Sequence, residues 1–121
     1  MNLLSKGVFL FVLIFSFSVS HAADLTQDQW IDFMTKNMPT VFCKSDQYYR
    51  DCYEVGKEEC EDIAAFAVQA CIANRIRELP DSFSYKESRH WGPIIEKCVD
   101  EEYIRTFSNQ KKDTPECKEI K

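Results

Sequence analysis

The chain has 121 residues, 45% of them hydrophobic and 29% charged, with six cysteines and a formal charge of −5. That is one domain's worth of sequence, and a core of this size is marginal enough that cross-links matter. The acidic balance excludes a nucleic-acid partner, because phosphate binding draws on a Lys/Arg surplus clustered along one face, and Lys111-Lys112 is too short to supply it.

In chain order, Met1 to Ala22 reads as a cleaved secretory signal. Lys6 makes a positive n-region, Val8 to Val19 an apolar h-region, and Ser20-His21-Ala22 offers small residues to a peptidase. Losing Lys6 and no acid takes the formal charge from −5 to −6 for residues 23–121, read as a single helical, disulfide-rich domain. The apolar run falls short of the roughly 20 residues that span a bilayer, no cysteine follows the cleavage point, and the sequence ends in Lys118-Glu119-Ile120-Lys121 without a lipidation signal. The expected product has no stable membrane anchor and is secreted or periplasmic.

Leu25-Thr26-Gln27-Asp28-Gln29-Trp30 is a complete helix start: the Thr26 hydroxyl can cap the backbone, Gln29 can reach back, and Leu25 can pack on Trp30. Trp30, Phe33, Met34 and Met38 form an apolar stripe, and Pro39 predicts a stop at Met38. A short second helix is expected from Ser45 to about Glu54. Gly56 then serves as N-cap of a third, with Glu58 and Glu59 at the positive end of its dipole. Between Ile63 and Ala73 only Gln69 is polar, which predicts a helix buried all round, its alanines admitting close neighbours, Phe66 filling volume and Pro80 ending it. Asp81 to Gly92 reads as the one substantial connection, with a brief turn started by Ser84 and Glu87. Pro93 suits the first position of a fourth helix, whose apolar face is Ile94, Ile95, Cys98, Val99, Tyr103 and Phe107. No strand is evident, so the expected fold is all-α: a small disulfide-stapled bundle of about four helices.

An even cysteine count in an exported chain predicts full pairing of Cys43, Cys52, Cys60, Cys71, Cys98 and Cys117. A hairpin of the second and third helices turning near Gly56 favours Cys52–Cys60. The rest pair either as Cys43–Cys71 with Cys98–Cys117, or as Cys71–Cys98 with Cys43–Cys117.

Candidate chemistry is sparse. The cysteine intervals are wider than zinc-site spacing and His90 is the single imidazole beyond the leader, so no metal and no cofactor are expected. No G-x-S-x-G or H-E-x-x-H accompanies His90, and paired acids such as Glu58/Glu59 and Asp100/Glu101 read as solvated helix faces. Glu102 falls within the apolar arc of the fourth helix, where pairing with a neighbouring Lys or Arg is favoured over a perturbed acid in a pocket. Candidate binding residues are Tyr48 and Arg50, together with Arg89, His90 and Trp91 in the loop before the fourth helix. Exposed Trp and Arg often anchor interfaces, although the reading favoured for Trp91 is that it covers the core where the loop enters the fourth helix.

The order Phe42-Cys43, Tyr49-Arg50-Asp51-Cys52, Cys60, Cys71, Trp91-Gly92, Cys98, Cys117 resembles small exported six-cysteine helical proteins of proteobacteria. The resemblance spans most of the chain beyond the leader and implies no activity. The patterns of insect odorant-binding proteins, saposin-like domains and secreted phospholipases are absent. The expectation is therefore a non-catalytic protein-binding domain acting as inhibitor, immunity partner, adaptor or host-directed factor on a protein partner not specified by the sequence. The alternative is a carrier of a small apolar ligand in a cavity between the first, third and fourth helices. A hydrolytic enzyme is a distant third.

Overall fold

The structure, a computed structural model, describes residues 24–119. The leader read over residues 1–22 lies outside the described residues. In order the elements are β1 (Leu25–Thr26), α1 (Gln27–Phe42), α2 (Tyr48–Asp51), α3 (Lys57–Arg75), β2 (Ser82–Phe83), α4 (Tyr85–Thr106), a 3-10 turn at Ser108–Gln110 and α5 (Pro115–Glu119). The fold is a small all-α bundle in which α3 packs against both α1 and α4.

The start of α1 is the capping box read from the sequence. Thr26 Oγ1 accepts from the Gln29 amide at 3.2 Å, and Gln29 Oε1 accepts from the Thr26 amide at 3.0 Å. Leu25 and Thr26 also pair antiparallel with Phe83 and Ser82, a two-residue ladder that the helical reading lacked. This pairing seats the Phe83 ring on Trp30, parallel at 4.2 Å between centroids. A further isolated bridge joins Tyr53 to Lys111.

Two prolines do not mark helix ends as expected: Pro39 does not stop α1, and Pro93 does not open α4. α1 continues through a buried Pro39 to Phe42. An interior proline costs about 3 kcal/mol, but here it is offset by burial of Phe42 and by the link that fixes Cys43 to α3. In α4 the Ser84 hydroxyl accepts from the Glu87 amide at 3.2 Å, so the turn expected inside a loop is the true start of the helix. Pro93 sits in its third turn, on an exposed position where its side of the helix faces solvent. The real connection is therefore shorter, from Ile76 to Ser84.

α3 is amphipathic rather than buried all round. Cys60, Ala64, Ala67, Val68, Cys71 and Ile72 face the core at helical spacing, whereas Phe66, expected to fill volume, is 72% exposed. The helix ends at Arg75, before Pro80. Along α4 and its C-cap, Ile95, Val99, Tyr103 and Phe107 recur every four residues and are all buried, with Trp91 half-buried one step earlier against the core.

The disulfides join Cys43 to Cys60, Cys52 to Cys117, and Cys71 to Cys98, with Cα separations of 5.9, 5.3 and 6.0 Å. The favoured Cys52–Cys60 link is thus incorrect, as are Cys43–Cys71, Cys98–Cys117 and Cys43–Cys117; the Cys71–Cys98 link of the second scheme is present. The cause is local. α2 is only four residues and does not fold back along α3 as a hairpin arm. Instead Tyr53 bridges to Lys111 and the Lys112 amide donates to the Cys52 carbonyl at 2.8 Å, which brings the C-terminal segment to Cys52. The extra turn of α1 carries Cys43 to the first turn of α3, where Cys60 stands.

Candidate functional site

Two adjoining depressions lie on the face formed by α1, α2 and α4. On α4, Pro93, Glu96, Lys97, Asp100 and Ile104 follow at three- and four-residue spacing, so they share a stripe beside the buried one. Opposite them, Gln47 leads into α2 with Tyr48 and Tyr49, and the two walls flank an open cleft of about 440 Å³. On α1, Phe33, Met34, Asn37, Met38 and Val41 share another stripe. With Phe42 they line an apolar trough of about 260 Å³, closed on its far side by Gln47, Tyr49 and Glu96. Gln47, Tyr49 and Glu96 are common to both, so trough and cleft are continuous. Phe33 and Val41 are each 54% exposed, which makes the trough an open surface feature rather than the enclosed cavity expected between α1, α3 and α4.

α2 is too short to hold itself, because four residues close scarcely one turn. Aromatic packing holds it instead. The Tyr49 ring stacks on Phe42 and meets Tyr103 edge-on at 5.1 Å. Tyr53 meets both Tyr48 and Tyr103 edge-on, at 5.7 and 5.4 Å. The Tyr103 hydroxyl donates to the Tyr49 carbonyl at 2.9 Å, and the Tyr49 hydroxyl donates to Asp100 Oδ1 at 2.5 Å. Arg50 Nη1 donates to the Cys43 carbonyl at 3.1 Å, fastening α2 to the end of α1, where a cation also meets the negative end of the helix dipole.

This environment keeps the phenols protonated. Burial, then the hydrogen bond to Asp100 and the charge of that carboxylate, push Tyr49 well above the usual phenol range. Burial pushes Tyr103 up to about 12, partly opposed by Arg50. Burial raises Tyr53, whose hydroxyl is buried and makes no hydrogen bond of good geometry. A phenol held neutral is a donor, and Tyr49 gives its one hydroxyl proton to Asp100.

The sequence-selected residues do not form one patch. Tyr48 lines the cleft. Arg50 opens on the other side of α2, toward Lys44, Lys57 and Glu61. Arg89, His90 and Trp91 lie within α4 and not in a loop. Arg89 stands over the Tyr85 ring at 5.6 Å, and exposed His90 meets Trp91 edge-on at 5.3 Å. Trp91 covers the core. Glu102 pairs with Arg105 of its own helix. Sequence reasoning missed Glu96, Asp100 and Val41 as site residues. The signal was available for α4 in its second stripe, but the facing partner, α2, is placed by long-range contacts. All six cysteines are in disulfides, and among the described residues no group of three or more His, Cys, Asp or Glu is placed to hold a metal ion. Among these residues no helix is long and apolar enough to cross a membrane.

Fold and cross-links define a small disulfide-stapled helical protein of the kind that matures in an oxidising compartment. Residues 24–111 match the family model described as T2SS substrate NttA, and the chain belongs to that family. It is thereby a member of a family of secreted proteins that leave the cell by way of the periplasm. No curated protein and no solved structure matches it.

Proposed function

We propose that the secreted chain is a non-catalytic binding protein that acts outside the cell by docking a partner protein on the face made by α1, α2 and α4. The observation that carries this reading is the open apolar trough, in which Phe33 and Val41 remain 54% exposed beside a cleft that carries Glu96 and Asp100. Apolar side chains beside convergent polar groups are the makings of an interface core with its rim. The trough is open, with Phe33 and Val41 each half exposed, whereas sites for small apolar ligands are concave and cover most of the ligand, which disfavours the carrier reading. All six cysteines are paired, so no thiol is available as a nucleophile, which disfavours an enzyme of that class.

Capture from the medium into which the protein is secreted tests this, using wild type and a Phe33→Asp/Val41→Asp variant, alongside native mass spectrometry. The expected result is one partner protein retained by wild type, lost with the variant, and no small molecule carried. Because both positions are exposed, the variant should keep its melting temperature. A bound hydrophobic molecule, or capture unchanged in the variant, contradicts the reading.

A further inference from the structure

The docking reading above leaves the chemistry of the partner open, and the site narrows it. We infer that the docked segment is basic and amphipathic, placing aliphatic side chains in the α1 trough and a Lys or Arg side chain in the adjoining cleft between Tyr48, Tyr49, Glu96 and Asp100.

The cleft has the composition of a cation receptor. The rings of Tyr48 and Tyr49 stand edge-to-face at 5.6 Å and 72°, so their planes differ in direction, and α4 supplies two carboxylates one turn apart. Carboxylates favour a cation, and a guanidinium or ammonium forms charge-assisted hydrogen bonds to them. Among the described residues neither Glu96 nor Asp100 forms an ion pair, although Lys97 lines the same cleft. Asp100 accepts one bond from Tyr49, which leaves acceptor capacity on a carboxylate with about four lone-pair sites. Behind the cleft the Tyr53 ring packs edge-on against Tyr48, and its buried hydroxyl lacks a partner.

Continuity supplies the second half of the specificity. Tyr49 and Glu96 border both depressions, so a cation bound at the carboxylates lies beside the apolar trough. A segment with a basic residue flanking two or three aliphatic ones matches this surface; an acidic segment meets two unpaired carboxylates, and like charges in contact are repulsive. The formal charge of −5 for the whole chain favours approach of the same partner at longer range.

The test titrates residues 23–121 with three synthetic helical peptides sharing one leucine face, bordered by Lys, Gln or Glu, and reads affinity and amide chemical shifts. The Lys peptide should bind about tenfold more tightly than the Gln peptide, with the Glu peptide weakest. Its shifts should fall at Val41, Tyr48, Glu96 and Asp100. Glu96→Gln/Asp100→Asn should remove the Lys advantage; the amide oxygen still accepts from Tyr49, and Glu96→Gln alone is the check should the double variant lose its fold. A charge-matched change elsewhere, Glu58→Gln/Asp62→Asn, should leave it intact. A Lys advantage that survives the first variant, or is lost equally with the second, overturns the inference. Equal trough binding by Lys and Gln peptides overturns the basic preference while leaving the docking reading standing. Absence of shifts at Met38 and Val41 with every peptide overturns both.

Discussion

α3 and α2 are fixed in opposite ways. α3 runs over nineteen residues, buries six side chains in one face, and contributes nothing to the walls of the trough or the cleft. α2 is four residues, buries none of its own side chains completely, and supplies two tyrosines to the site. The long helix is a scaffold held by its own periodicity. The short one is held from outside, by Phe42 and Tyr103 on its inner side, by Asp100 on α4, and by the disulfide at Cys52. Its position is therefore a property of the assembled chain, and the site it builds should be separable from the stability of the bundle.

The largest effect that can break this comparison comes from the disulfides. Cys52–Cys117 spans 65 residues and Cys43–Cys60 spans 17, so loop-closure entropy assigns about 4 kcal/mol to the first and about 3 kcal/mol to the second. Replacing Cys52 and Cys117 by alanine should lower unfolding stability by the larger amount. In hydrogen exchange it should expose the amides of Tyr49 to Tyr53 before those of α3. Equal loss of protection in both helices would show that α2 is no more dependent on outside support than α3.

A change of comparable size is expected from pH. Tyr103 titrates near 12 in the folded chain against 10.0 for a free phenol, so the unfolded state gives up its proton first as pH rises. Stability is then fully present below pH 10 and falls through about 12, with roughly 3 kcal/mol at stake for this one group. Denaturant melts between pH 9 and 12, paired with phenolate absorbance, measure it. Retained stability with early phenolate absorbance runs against the buried tyrosine cluster.

The smallest effects separate two neighbouring hydroxyls. Tyr103→Phe removes the 2.9 Å bond to the Tyr49 carbonyl and should cost about 1 kcal/mol. Tyr53→Phe removes a buried hydroxyl that has no partner, and should be neutral or slightly stabilising. Equilibrium unfolding of the two variants side by side gives the contrast; equal losses would mean that the Tyr53 hydroxyl is satisfied in solution.

The scaffold was legible in the sequence because its signals are local. Thr26 with Gln29, Gly56, and the four-residue repeat through Ile95, Val99, Tyr103 and Phe107 are each read within a few positions of where they act. The proline positions misled because Pro39 and Pro93 are tolerated by burial and exposure that only the folded chain defines. The cysteine pairing misled for a related reason: it depends on where α1 ends and on how the C-terminal segment returns to Tyr53. Of the site, Tyr48 was recognised as a surface residue, whereas Asp100 read as an ordinary acid of a solvated helix face and Glu96 was not singled out. They become a site through the Tyr49 hydroxyl and the trough alongside, both set by contacts between residues about fifty positions apart.

Two exposed apolar positions distinguish the proposed docking face from the scaffold: Val41 at the trough and Phe66 on α3. A photo-crosslinking amino acid at each, in otherwise unchanged secreted protein, tests the central claim most directly. Docking on the α1, α2 and α4 face predicts a partner crosslinked from position 41 and not from position 66. Crosslinks confined to position 66, or equal at the two, would contradict it.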